Sequence, residues 1–127
     1  MHGRDIRPLL ANPETTEWKS PLLMTHTSRN YGAETNEIPT GDALVASSGV
    51  PWYALLRDGK YKYIRTLVAG ETEELYDLER DPEELTNLAA RPDQRKRLEE
   101  LRGKAIAELR RTDAKFVDRM PPTKAQR

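Results

Sequence analysis

The stretch of sequence that decides the fold is residues 74–89, which read ELYDLERDPEELTNLA. Its first part alternates in the manner of a half-buried strand, because Tyr76 and Leu78 fall on one side and Leu75 and Asp77 on the other. This part of the stretch therefore predicts a β-strand.

The second part of the same stretch carries the signals of a helix start. Asp81 is a candidate N-cap, and Pro82 suits the first helical position, where its missing N–H leaves no bond unmade. Glu84 stands where a capping box would place a carboxylate. We therefore expect a short helix over residues 81–88 that follows the strand directly.

A hairpin precedes this stretch. Two runs rich in aromatic and aliphatic residues, 52–57 and 60–65, flank the pair Asp58-Gly59, which favours a type I′ turn. Counting outward from that turn pairs Arg57 with Lys60. The hairpin and the strand after it would form a meander.

These elements predict an α+β fold. Residues 22–27 suit one more strand, so the hairpin and residues 74–78 would complete a sheet of about four antiparallel strands. We expect a single domain over residues 1–120 and a disordered tail at 121–127. A long C-terminal helix beginning near Pro92 would pack on the sheet through one stripe, namely Leu98, Leu101, Ala105, Leu109 and Thr112, with Ile106 beside it.

Charge and hydropathy narrow the classes of partner. The 127 residues include 21 basic and 21 acidic ones, so no overall field attracts nucleic acid or an anionic membrane. Basic residues of the predicted helix alternate with glutamates, as Glu100 and Lys104 illustrate, which is typical of a solvated face. No apolar run reaches membrane-spanning length, and residues 1–5 lack the pattern of a signal peptide. We expect no nucleic-acid or membrane partner, and the sequence predicts no compartment.

The chain contains no cysteine, which excludes disulfides, thiolate metal sites and cysteine nucleophiles. Its histidines and carboxylates do not show the spacing of a metal site either. We therefore expect no catalytic residue, no metal and no cofactor within this chain.

The pattern E-L-Y-D-L-x-x-D-P-x-E-x-x-N-L-A, preceded by RDGKYKYI at residues 57–64, resembles the C-terminal subdomain of the type I, arylsulfatase-like sulfatases. These are sulfate-ester hydrolases of the alkaline-phosphatase superfamily. Residues 3–10 are similar to the segment through which such enzymes leave their catalytic domain. The resemblance covers roughly residues 3–120.

The resemblance implies that the chain is the C-terminal fragment of a sulfatase. The family uses calcium and a formylglycine residue made within a C/S-x-P-x-R motif, and this chain has neither that motif nor the acidic calcium cluster. We expect it to be inactive alone, to support a missing N-terminal catalytic domain and to shape substrate access through residues 26–50. The exposed docking face could also drive self-association.

Two other interpretations remain at this point. The same segment could belong to a phosphonate monoester hydrolase of the superfamily, since the residues that discriminate between the two reactions are absent here. Alternatively, the chain could be a stand-alone interaction module that derives from a truncated gene. An in-frame C/S-x-P-x-R segment upstream would favour the fragment.

One short segment is the candidate substrate-binding rim: His26, Arg29, Asn30 and Tyr31. It follows a predicted strand and opens the longest irregular stretch, and loops in such positions often carry function. Arg29 could pair with an anion through two N–H groups, and His26 could titrate beside it. The competing interpretation is that His26 is a strand-end histidine satisfied by a neighbouring carbonyl.

Overall fold

The computed structural model describes residues 21–28, 30, 32–40 and 49–123. Its strands are β1 (Leu22–His26), β2 (Tyr53–Asp58), β3 (Tyr61–Thr66) and β4 (Glu74–Asp77). The long helix α1 spans Arg95–Arg111, and short 3-10 turns lie at Gly32–Thr35, Pro92–Gln94 and Lys115–Arg119. The predicted α+β fold with a long C-terminal helix is confirmed.

The four strands form one antiparallel sheet in the order β1-β2-β3-β4, as a meander requires. The predicted hairpin is present, but the predicted register was wrong by two residues. Asp58 pairs with Tyr61, and the loop is Gly59-Lys60. Gly59 has φ 57° and Lys60 is not in the positive-φ region, which fits the type II′ pattern instead of type I′. A two-residue shift keeps every side chain on its expected face, so alternation alone could not detect it.

One face of the sheet packs against α1, and we call it the helix-side face. Leu56, Tyr63 and Leu75 point from successive strands into this layer and are fully buried. The predicted stripe of α1 covers them, with Leu98, Leu101, Ala105 and Leu109 each at most 4% exposed. Each such leucine contributes about 1.5–3 kcal/mol by leaving water.

The helix expected over residues 81–88 is absent from the structure, so that prediction was wrong. Glu84 adopts φ 57°, a left-handed conformation that is incompatible with an α-helix through this residue. Asp81 still caps a turn, because its carboxylate accepts the N–H groups of Leu85 at 3.0 Å and Thr86 at 2.9 Å. Glu84 forms an ion pair with Lys62 at 2.6 Å instead of closing a capping box.

The chain after this turn closes the outer edge of β4. Leu88 donates its N–H to the carbonyl of Leu75 at 2.8 Å, and Oδ1 of Asn87 accepts the N–H of Leu75 at 3.0 Å. The amide nitrogen of Asn87 donates to the carbonyl of Glu73 at 3.1 Å. An asparagine side chain therefore replaces part of a fifth strand, which a regular helix could not do.

The opposite face of the sheet, the helix-free face, is only partly covered. The strand register places these side chains on it: Leu22, Met24, His26, Tyr53, Leu55, Ile64 and Tyr76. Tyr76 is 9% exposed, near the ion pair between Lys62 and Glu84, whereas Leu22 and Met24 are each 50% exposed. The open part of this face therefore lies on β1.

The segment after α1 returns to the sheet. The guanidinium of Arg65 donates to the carbonyl of Pro121 at 2.9 Å, and the N–H of Gly70 donates to the carbonyl of Pro122 at 3.1 Å. Thr123 is 2% exposed. Residues 121–123 of the expected tail are thus bonded to the domain, and residues 124–127 lie outside the described residues.

Candidate functional site

His26 ends β1 on the helix-free face, because its register partner is Tyr53 and both point away from α1. The two rings stack with centroids 5.2 Å apart and planes 20° apart. Nε2 of His26 is buried and has no hydrogen-bond partner among the residues that the structure describes. A buried ring nitrogen without a partner is costly, so this atom is a candidate for contact with a group outside the described chain.

Among the other predicted rim residues, only Asn30 is described, and it lines a cleft to which His26 does not contribute. Arg29 and Tyr31 lie outside the described residues, so the structure gives no position for their side chains. Asn30 is described, and a tight turn holds it: its N–H donates to the carbonyl of Thr27 at 3.0 Å, and Thr27 Oγ1 donates to its carbonyl at 3.0 Å. Ser28 inside this turn has φ 56°.

Asn30 belongs to a cleft on the helix side, away from His26. The cleft has a volume of about 420 Å³ and lies between β1, the C-terminal end of α1 and four residues of the segment after β1, namely Thr27, Asn30, Gly32 and Thr35. Its floor is apolar, formed in part by Leu109 and Phe116, and its rim carries threonines. Two of the threonine hydroxyls donate to backbone carbonyls of their own turns, Thr35 to Gly32 at 2.7 Å and Thr112 to Glu108 at 2.9 Å.

A second cleft, of about 300 Å³, lies beside the central motif. Charged residues of both signs line it, among them Lys60, Arg80 and Arg91 with Asp77, Asp81 and Asp93. The buried carboxylate of Asp77 accepts the N–H groups of Glu79 and Arg80 at 3.1 and 3.2 Å and faces Lys60 at 3.5 Å. Desolvation works against them, yet these donors hold the pKa of Asp77 below its usual range. Because Asp77 is engaged in a turn, it is not available as a general acid.

The side chain of Glu73 is fully buried and forms several hydrogen bonds to other described residues. Arg102 donates two hydrogen bonds to the Glu73 carboxylate, from Nε to Oε2 at 2.9 Å and from Nη2 to Oε1 at 2.6 Å. The hydroxyl of Tyr63 donates to Oε2, and Thr123 Oγ1 donates to Oε1 at 3.1 Å. This cluster, which we call the Glu73 cluster, joins the sheet, α1 and the C-terminal segment.

The pKa shifts within the Glu73 cluster have the directions expected for a buried, hydrogen-bonded carboxylate. Burial alone would raise the pKa of Glu73, but the bonds from Arg102, Tyr63 and Thr123 lower it. Burial and the hydrogen bond to Glu73 raise the pKa of Tyr63, so the phenol stays protonated and remains a donor. Sequence reasoning missed this cluster, because a glutamate in a Gly-Glu-Thr-Glu turn resembles a surface residue.

We expect the Glu73 cluster to make stability depend on acid pH. Because the folded-state pKa of Glu73 lies below the unfolded value near 4.5, its contribution is present above that pH and disappears as pH falls through the lower folded pKa. Denaturant unfolding measured from about pH 6 to about pH 3 should therefore show a shallower loss of stability for Glu73→Gln than for the unchanged chain. Equal slopes for the two proteins would contradict this assignment.

The described residues do not fit a calcium site. No group of three or more His, Cys, Asp or Glu residues in that part of the chain is arranged to hold a metal ion. Glu73 and Asp77, the most buried acidic side chains of the sheet region, are already bonded to cations and amides. Within the described ranges, no helix combines the length and the apolar character needed to cross a bilayer.

The central motif lies on a four-stranded sheet with one long helix, and the chain that carries it resembles a segment of known sulfatases. No protein-family model matches the chain. Choline-sulfatase from Rhizobium meliloti (strain 1021) is 39% identical to it over 90 residues, which are 71% of this chain and 13% of that enzyme. The chain therefore spans only a small part of its relative, which is consistent with a C-terminal fragment.

Solved structures agree with this relationship. A 2-O GAG sulfatase matches with a TM-score of 0.51 and 33% identity, over 57% of this chain and 16% of that one. The phosphonate monoester hydrolase of Agrobacterium radiobacter matches with a TM-score of 0.55 and 25% identity, over 84% of this chain and 20% of that one. The resemblance to sulfatases that the motif indicated is confirmed.

Proposed function

We propose that this chain supports the catalytic part of a sulfatase-type enzyme and borders the route by which substrate reaches it. The observation that carries the proposal is the half-open helix-free face. Leu22 and Met24 are each 50% exposed there, whereas the helix-side face buries its apolar residues almost completely. An exposed apolar area next to half-buried Leu55 and Ile64 is typical of a protein–protein contact.

The length of the relatives supports the same proposal. Because the chain matches 13% of choline-sulfatase and 16% of the 2-O GAG sulfatase, most of such an enzyme would lie outside it. That remainder would supply the reacting groups and would cover the open part of the helix-free face. We therefore propose that the helix-free face supports the catalytic part and that the border of this face limits substrate access sterically.

The border of the helix-free face is where substrate access would be shaped. His26 lies at the end of β1 on this face, and the loop that follows it includes Asn30 and the 3-10 turn at Gly32–Thr35. His26 as a whole is half-buried, and its buried Nε2 has no hydrogen-bond partner among the described residues. We propose that residues 26–50 form this border and that His26 makes a polar contact there.

A chimaera tests the supporting role. The region of Rhizobium meliloti choline-sulfatase that matches this chain is replaced by this chain, and choline-sulfate hydrolysis and the unfolding midpoint are measured. We expect an active, folded chimaera. Leu55→Lys should lower its activity at least about tenfold, because it places a charge on the helix-free face where the catalytic part would pack. Ala107→Lys, which adds the same charge at an exposed position of α1, is the matched control.

The outcomes of this experiment separate the interpretations. A chimaera that Leu55→Lys and Ala107→Lys affect equally would overturn docking through the helix-free face. This chain alone should give no turnover, because it has no cysteine and no C/S-x-P-x-R motif. The same exchange in the Agrobacterium radiobacter hydrolase tests the alternative parent that this structural match suggests. If both chimaeras fold but neither is active, the chain is better explained as a stand-alone interaction module.

A further inference from the structure

The two edges of the sheet differ in how they end. The outer edge of β4 is closed by its own chain, through the side chain of Asn87 and the N–H of Leu88. β1 forms the other edge of the sheet among the described residues. A strand edge with free backbone groups is a ready template for another strand.

The side chains of β1 do nothing to discourage such pairing. Each of the other strands carries two charged residues: Arg57 and Asp58 in β2, Lys62 and Arg65 in β3, and Glu74 and Asp77 in β4. The sequence of β1, Leu-Leu-Met-Thr-His, contains no Asp, Glu, Lys, Arg or Pro. Proteins usually protect an open edge with these residues, so β1, whose outer edge pairs with no described strand, is a candidate interaction surface.

We propose that β1 pairs with β1 of a second copy of this chain, antiparallel and about a two-fold axis at Met24. The two four-stranded sheets would then form one continuous antiparallel sheet. This inference concerns the edge of the sheet and does not rest on the function proposed for its helix-free face. Strand addition of this kind derives its affinity from main-chain hydrogen bonds and its specificity from alternate side chains.

The sequence of β1 suits a copy of itself. Full overlap of the five-residue strand places Met24 opposite Met24 of the second copy. Leu22 then faces His26 of the second copy, and Leu23 faces Thr25 of the second copy. No like charges meet across the axis, and the 50% exposed Leu22 and Met24 gain apolar neighbours.

The overall charge also favours a second copy over a charged partner. The chain carries 21 basic and 21 acidic residues, so two copies approach without net repulsion. An axis perpendicular to the sheet keeps both helices on one side and both open apolar faces on the other. The pairing therefore joins two small apolar areas into one larger area.

Sedimentation equilibrium of the 127-residue chain, from about 10 to about 500 µM, tests the proposal through mass action. We expect a mass that rises with concentration toward a dimer. Met24→Lys and Met24→Glu each place like charges across the axis and should weaken dimerisation at least about tenfold. Leu85→Lys, at a 78% exposed position away from β1, is the control and should leave it unchanged.

Mixing the two variants provides the decisive measurement. An equimolar mixture of Met24→Lys and Met24→Glu should recover a dimer, because opposite charges now face each other across the axis. A monomeric wild type, unchanged dimerisation of both variants, or no recovery in the mixture would each overturn the proposal. Hydrogen exchange at β1 amides, slower at high concentration only, tests pairing in the wild type if a variant fails to fold.

Discussion

Replacing Arg102 with methionine is expected to lower the free energy of unfolding by about 3 kcal/mol, because a fully buried carboxylate loses its only described cation partner. Glu73 would keep the bonds from Tyr63 and Thr123, which is why we expect the lower end of the range for a broken buried pair. Chemical denaturation followed by circular dichroism measures this change.

Two further variants isolate the pairwise contribution in the Glu73 cluster. Glu73→Gln should recover much of the loss in the Arg102→Met background, since a neutral amide costs far less to bury than an unpaired carboxylate. Arg95→Met removes an exposed ion pair with Glu99 and should cost less than about 1 kcal/mol. If Arg102→Met and Arg95→Met prove equally mild, the Glu73 cluster does not hold the domain together.

Replacing Asn87 with alanine should destabilise the chain by about 2–3 kcal/mol, the second-largest effect that we expect. The change leaves the N–H of Leu75, the N–H of Ala89 and the carbonyl of Glu73 without the partners that the Asn87 side chain supplies. The outer edge of β4 would open as well. Thermal and denaturant midpoints measure the loss.

A graded series separates the acceptor and the donor of Asn87. Asn87→Asp keeps the oxygen that accepts two N–H groups and loses the donor to Glu73, so its cost should fall between wild type and Asn87→Ala. Thr86→Ala, one residue earlier and exposed, should change stability by less than about 0.5 kcal/mol. A loss for Thr86→Ala equal to that for Asn87→Ala would contradict the edge-closing role.

Local periodicity predicted most of the fold. Alternation placed the strands, and the apolar stripe through Leu98 and Leu109 placed the long helix, because these signals need only neighbouring residues. The turn at residues 81–88 was predicted as a helix, since Asp-Pro-Glu-Glu carries the same local signals for a capped turn and a capped helix. The outcome depends on Asn87 reaching β4, which is a tertiary contact.

The candidate site was less predictable than the fold. The position of His26 at a strand end follows from alternation, but its separation from the cleft that contains Asn30 depends on which face each residue takes. Glu73 and Arg102 lie 29 residues apart, so no spacing rule could pair them. The roles of Arg29 and Tyr31 stay predictions, because both residues lie outside the described part of the chain.

The sequence separations within the Glu73 cluster also bear on the order in which the chain folds. Its three donors lie 10, 29 and 50 residues from Glu73 along the chain, so they are recruited at rising cost in loop-closure entropy. The β2–β3 hairpin closes through a two-residue loop and can form early. We therefore expect the Glu73 cluster to form after the rate-limiting step of folding. Contacts that form this late mainly govern the unfolding rate, so the cluster should slow unfolding without accelerating folding.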